Sequence, residues 1–331
     1  CFTYTVEVTL QDYGFFGPGS VTWKVWGFSA TPLIALSRAV VIEELDPNLI
    51  AAVDATGANY DRPRTRYDRT VRYFAAVAFA DSRTVTQMAD VLVKVHAKAI
   101  GIEPVSGRRY DANDPDSQLW ILLTGWHSVL KAYEMYGPGK LTEGEEAQYW
   151  AECAVAAELQ TCESSDVPRT REGIRAYFEE MRPRLAASEA AQQMMSHLLD
   201  PRVVLPDGPL LLRPARYAVA WLLRAGTIAT MPRWMRQMGG IWQSRLTDAV
   251  VPAILRAGFR AFDRSTPVKR RVLAVVAPST LPIIEPIWQG IPPVRPMTVT
   301  PADARQRYGV RPRPRRTWTC GRSSTIACSA R

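Results

Sequence analysis

The sequence predicts an all-α fold, a single multi-helix domain over residues 1–310. Three observations predict it. Apolar residues recur at steps of three and four through most of the chain, as the buried stripe of a helix requires. Ser, Thr or Asp stands ahead of several of these runs, as helix caps do. Alternating strand patterns are scarce, and "YTVEVTL" at residues 4–10 is the best candidate. With 331 residues, 47% hydrophobic and 22% charged, the chain is long enough for one large core and has a globular composition.

The elements follow in order. "GFFGPGS" at residues 14–20 is glycine-rich, but no Lys-Ser/Thr follows it and GxGxxG is absent, so it is no phosphate loop. It reads as a turn ending in the N-cap Ser20, which opens a short helix. Residues 30–45 carry Leu33, Leu36, Val40, Val41 and Leu45 at helical spacing and end at Asp46-Pro47; a further segment runs from Pro47 to about Ala55. Residues 68–79 and 83–100 are the next two helices. In the second, Val85, Met88, Leu92, Val95 and Ala99 form the expected buried stripe, with His96 one position off it. "GIEPVSGRRYDANDPDS" is turn-rich, and its Asp114-Pro115 starts a long apolar helix over 116–136 that "YGPGK" stops. Thr142 and Glu145 have capping-box spacing, and 167–185 and 188–200 read as amphipathic helices.

Residues 209–235 are the most apolar stretch. Arg213, Arg216, Arg224 and Arg233 interrupt it and Pro214 and Pro232 bracket it, which leaves no uncharged run near the ~20 residues of a membrane span. It is expected to be a core helix, with a helix lying in a membrane interface as the alternative, Trp221 and Trp234 at the boundary. Segments 246–262 and 268–277 are helical, and the proline-rich 278–296 reads as a strap laid over the surface.

Charge excludes little. Of the formal net charge of +9, six arginines lie in residues 311–331, a basic tail of Pro, Ser and Thr without periodicity, expected to be disordered and not native to the fold. It is the sole argument for a polyanion, so no specific nucleic acid is expected as a partner. The five cysteines form no CxxC pair, which points to a reducing, cytoplasmic setting in which Cys153 and Cys162 are ordinary thiols. A start at Cys1 instead of Met raises the expectation of a truncated N-terminus.

The catalytic motifs of hydrolases are missing: no GxSxG, no HExxH, no evident Cys–His pair. Acidic pairs such as Glu43-Glu44 and Glu179-Glu180 read as solvated helix faces. Three histidines remain. His197 suits a helix C-terminus, and His127 lies beside an apolar face with Leu123 and Leu130. A lone histidine on an apolar face is most simply a core residue. A haem, however, needs only one neutral imidazole in an apolar helical pocket, and His96 is the best-placed candidate.

Six blocks, in order, resemble the mpaB/rubber oxygenase family: "DYGFFGPGSVTWKVWG", "RYDRTVRYFAAVAFAD", "VHAKAIGIEPVSGRRYDANDPDSQLW", "SVLKAYEMYGPGKLTEGEEAQYWAECAVAAEL", "VPRTREGIRAYFEEM" and "IPPVRPMTVTPADARQRYGV". They cover about residues 11 to 310. The resemblance implies a globin-like core, a haem b whose iron is held by His96 in "VHAKAIG", and an oxygenase that uses O₂ on a hydrophobic, isoprenoid or lipid-like substrate. It also assigns Arg66 and Thr70, four residues apart, to the surroundings of the haem. One block departs: where relatives carry "WVHAT", this chain has "WILLT", so Leu122 replaces a histidine and His127 stands five positions on. Five residues are about 140° around a helix, so His127 cannot take the lost ring's place and is a separate distal or supporting candidate.

Two readings result. In the first the protein is a haem-dependent oxidoreductase with His96, Arg66, Thr70 and His127 at its site, peripheral to a membrane through 209–235. Trp126, Tyr73, Phe74 and Phe79 are candidates for its apolar wall. In the second it is a non-catalytic helical binder of a hydrophobic ligand, with His96 a core histidine.

Overall fold

A computed structural model describes residues 10–54, 61–103, 107–205 and 209–309. These residues are predominantly helical, as the periodicity predicts. The strand candidate at 4–10, apart from Leu10, and the tail at 311–331 lie outside them. In chain order the helices are α1 (Val21–Trp26), α2 (Leu36–Glu43), α3 (Pro47–Asp54), α4 (Pro63–Phe79), α5 (Ser82–His96), α6 (Pro115–Tyr136), α7 (Glu143–Ala157), α8 (Arg171–Met181) and α9 (Glu189–Leu198). They continue with α10 (Arg213–Thr230), α11 (Arg233–Met238), α12 (Arg245–Asp263), α13 (Thr266–Val276), α14 (Leu281–Trp288) and α15 (Pro301–Tyr308).

The caps act where the sequence places them. Ser20 Oγ accepts from Trp23 N at 3.0 Å, Asp114 accepts from Asp116 and Ser117 N, and Thr142 with Glu145 closes a capping box. The glycine turn is structural: Gly14 has φ +66°, and a Cβ there would stand 2.2 Å from the Ala80 carbonyl oxygen. It lets the chain lie against the α4–α5 corner, where Asp12 accepts from Ser82 N and Oγ at 2.7 and 2.6 Å.

α6 is the central helix. Trp120, Leu123, Trp126, Val129, Tyr133 and Tyr136 point to different sides of it and all are buried, so neighbours surround it. One continuous core runs from Phe16 to Ile284. The expected helix over 30–45 is split: Thr31–Ala35 form a π turn ahead of α2, and the Tyr67 hydroxyl of α4 donates to the Pro32 carbonyl there.

Three further expectations are corrected. The turn-rich 101–117 holds an antiparallel hairpin, β1 (Ile100–Ile102) with β2 (Arg109–Asp111), in register Gly101↔Tyr110. Glycine is required at 101 because a Cβ would meet the Tyr110 ring at 2.7–2.8 Å. The strap over 278–296 begins as helix α14. Pro282 occupies its first turn, where no N–H is needed, and Ile283 and Ile284 anchor it in the core. Only 294–299 runs as a strap, hydrogen-bonded to residues 10–14. Finally, the stripe beside His96 is buried only at its start. Val85 is in the core, Met88 and Leu92 are half-buried, and Val95 is 57% exposed.

No described helix is long and apolar enough to cross a membrane. Cys153 and Cys162 are buried thiols, as expected.

Candidate functional site

α2 and α6 pack against each other with a seam of polar pairs in antiparallel order. Asp46, just past α2, accepts from Ser117 Oγ at 3.4 Å. Glu43 Oε1 lies 3.3 Å from Thr124 Oγ1. Arg38 Nη1 donates to Ser128 Oγ at 2.5 Å, and its Nη2 stands 3.4 Å from His127 Nδ1. Polar groups inside a helix–helix contact cost free energy unless they are matched in this way.

The carboxylates contradict the reading of Glu43-Glu44 as a solvated face. Glu44 is 4% exposed and Glu43 is half-buried. Burial pushes the Glu43 carboxyl up to about 7, against the opposing pull of the Thr124 hydroxyl and the Arg66 charge. Arg66, on the facing side of α4, is lowered by its own burial, and Glu44 and Glu43 oppose that shift. The Asp68 carboxylate on the same helix accepts from Ser279 N. Thr70 Oγ1 donates to the Arg66 carbonyl at 3.0 Å, a bond to the preceding turn of its own helix. It therefore supports the turn that carries Arg66 and makes no side-chain hydrogen bond to another described element.

His96 is the last residue of α5. Its imidazole is half-buried. Burial and then the nearby Arg66 hold its pKa below the ordinary histidine value, against the attraction of Asp111, so the ring is neutral at neutral pH. Nδ1 lies 3.4 Å from Gln118 Nε2, which donates to the Ala112 carbonyl at 2.6 Å. Nε2 makes no hydrogen bond with a described residue. Exposed Val91, Val95, Ile100 and Ile102 surround this end of α5, an apolar rim of a kind that usually meets another apolar body.

The structure thus brings His96, Arg66, Glu43 and Glu44 together and puts Thr70 one turn behind. It does not bring His127 to them. Gln118 marks the level of His96 on α6, and His127 is nine residues further, roughly 13 Å along the helix. There the ring lies 5.0 Å from the Phe178 ring, and burial followed by Arg38, Lys131 and Arg171 lowers its pKa far below the ordinary value. Arg38 is itself 1% exposed, and burial brings its guanidinium down to about 9. Leu122, in place of the expected histidine, is 1% exposed and part of the core.

Sequence reasoning missed Glu43, Arg38, Gln118 and Thr124. The available signal was their company: Arg38 and Glu44 interrupt the apolar periodicity of 35–45, which a solvated face would not show.

Apart from these residues, α1, α4, α13 and α14 line a half-open apolar cavity of about 80 Å³, with Trp26, Val71, Phe74, Phe79, Leu273 and Ile284 in its wall. Phe74 and Phe79 are therefore wall residues, whereas Trp126 packs in the core on Trp26 and Tyr149 and Tyr73 is half-buried beside Phe74. Among the described residues there is no group of three or more His, Cys, Asp or Glu able to hold a bare metal ion.

A family model described as "ER-bound oxygenase mpaB/B'/Rubber oxygenase, catalytic domain" matches residues 23–264. No curated protein and no solved structure matches.

Proposed function

The chain belongs to the mpaB/rubber oxygenase catalytic-domain family and is an oxygenase, and from that premise we propose that it is haem b-dependent. In this reading His96 is the axial ligand and the substrate is hydrophobic, isoprenoid or lipid-like. The observation that carries the proposal is the state of His96: a neutral imidazole with an unused Nε2, rimmed by exposed valines and isoleucines. That donor set suits a haem, which needs one protein nitrogen and apolar surroundings. Bound haem would supply an iron centre able to take O₂.

The chain's own residues would prepare that chemistry. Gln118 Nε2 gives one proton to the Ala112 carbonyl and points the other at Nδ1, which accepts it, so in this arrangement the ring proton lies on Nε2. The ligating tautomer carries the proton on Nδ1 instead. Binding iron through Nε2 would therefore need the ring proton to move to Nδ1 and the Gln118 amide, held by the Ala112 carbonyl, to move off that nitrogen. Arg66 offers a guanidinium to a carboxylate or to a polarised oxygen, and Thr70 steadies the turn that carries it. Glu43, titrating at about 7, holds or releases a proton near neutral pH. His127, away from this group, serves as a supporting group with Arg38. The cavity beside α4 is smaller than the ~300–1,000 Å³ of whole-ligand sites, so it takes one end of a hydrocarbon chain and keeps water from it. Exposed Leu210, Leu211, Leu212 and Trp221 support a peripheral contact of the 209–235 segment with a membrane, the source of such a substrate.

The test is the visible spectrum of protein produced with haem supply, beside His96→Ala and Gln118→Leu. A Soret band in the wild type that disappears or shifts in His96→Ala supports the proposal. Folded wild type without haem, or a band indifferent to His96, overturns it and leaves the cavity as the site of a different oxygenase chemistry.

A further inference from the structure

Helix α12 is apolar on two sides. Val251, Leu255 and Phe259 are buried in the core. On the other side Leu246, Val250 and Ile254 follow at steps of four and are 74%, 46% and 49% exposed, so they share one face. Trp242, just ahead of the helix, is 82% exposed. Apolar side chains aligned on one open face mark a contact surface more often than chance exposure does.

Beside Trp242 lies a second cavity, of about 440 Å³, with Arg233, Arg236, Gln243, Arg245 and Asp248 in its lining. Its single acid is already occupied. Asp248 receives Arg236 Nη1 at 2.9 and 2.8 Å and Gln243 Nε2 at 2.7 Å. Arg233 and Arg245 are exposed and make no hydrogen bond or ion pair with any described residue. Two free guanidinium groups, ten donors in all by their chemistry, thus flank a hollow whose only carboxylate is spent. The apolar stripe starts one residue beyond Arg245.

We propose that the α11–α12 corner docks on an anionic lipid surface. A lipid phosphate enters the cavity between Arg233 and Arg245, Trp242 sits at headgroup level, and Leu246, Val250 and Ile254 enter the acyl boundary. Charge selects this occupant. A surface carrying many phosphates complements the unpaired arginines, whereas a second copy of this chain would set like charges against each other. The order of groups, cationic hollow, then tryptophan, then aliphatic stripe, is the order of a bilayer met from water. The proposal extends the membrane contact suggested for 209–235 to the neighbouring α12, which packs on α10, and rests on that reading. It is independent of haem.

The experiment is flotation of the full chain with vesicles of phosphatidylcholine alone and of phosphatidylcholine mixed with phosphatidylglycerol. Binding to the mixed vesicles that weakens with salt is expected. The double variant Arg233→Ser with Arg245→Ser is expected to lower partition roughly thirtyfold, about fivefold for each basic side chain near an anionic surface. Leu246→Ser with Val250→Ser is expected to lower it as well. All four residues are exposed, and circular dichroism checks that each variant folds. The variant Leu211→Ser with Trp221→Ser separates the two contacts. If it alone loses binding, the 209–235 contact stands and the α12 site falls. If the wild type ignores the mixed vesicles, both fall. Equal binding to both vesicle types, or a dimer in solution that Leu246→Ser dissociates, also overturns the proposal.

Discussion

Glu43→Gln should stabilise the protein in a pH-dependent way. In the unfolded chain this carboxyl titrates near 4.5, and in the fold it titrates at about 7. Between those values the folded state holds a proton that the unfolded state has released, so stability falls as pH rises through the window. Below pH 4.5 the carboxyl is neutral in both states and there is no penalty. Above pH 7 the ionised group stays buried at a full cost of about 3 kcal/mol. Glu43 keeps part of its surface in water, and solvent screening reduces that cost to about 2 kcal/mol. Glutamine keeps the oxygen that faces Thr124 Oγ1 and carries no charge. Urea unfolding of both proteins at pH 8 should therefore show the variant more stable by about 2 kcal/mol, with the gap shrinking to about 0.5 kcal/mol at pH 5. All other titrating groups are common to the two proteins and cancel in the comparison. A gap that does not change with pH, or a variant weaker at pH 8, refutes the assignment of Glu43 as a buried carboxyl titrating near neutrality.

Two further outcomes test the frame around the site. Gly14→Ala forces a side chain into φ +66° and against the Ala80 carbonyl; strain and displacement together should cost about 3 kcal/mol or more, read as a lowered thermal midpoint, and an unchanged midpoint would show that the α4–α5 corner yields freely. Arg171 joins Glu134 of α6 at 2.5 Å to Glu146 of α7 at 2.7 Å, with Glu134 only 9% exposed. Arg171→Ala leaves that carboxylate unpaired and should cost about 2–4 kcal/mol, whereas Arg171→Ala with Glu134→Gln should recover a good part of it.

What the sequence made legible was local. Ser20, Asp114 and the Thr142–Glu145 pair cap helices through bonds that span three residues or fewer, so a reader of the chain needs no tertiary information to place them. The site depends on partners far apart in sequence. Periodicity shows that one side of residues 85–99 is apolar, but whether anything covers that side depends on neighbours, and Val95 stays 57% exposed. The same limit hid the carboxylates. Glu43 and Glu44 look like a solvated pair until α6 and Arg66 arrive from some eighty and twenty residues away. The distance between His96 and His127 was equally out of reach: both lie on apolar helices, and only the level at which α5 meets α6, fixed by Gln118, puts one ring beside Arg66 and the other beside Arg38. Seen from the seam, the polar residues of α2 sort themselves by charge, with acids at the His96 end and the buried arginine at the His127 end. An anionic group is therefore disfavoured beside Glu43 and Glu44 unless Arg66 turns toward it; burial sets the acidity of Glu43 and His96 first, and the Arg66 charge opposes it at the carboxyl and adds to it at the imidazole.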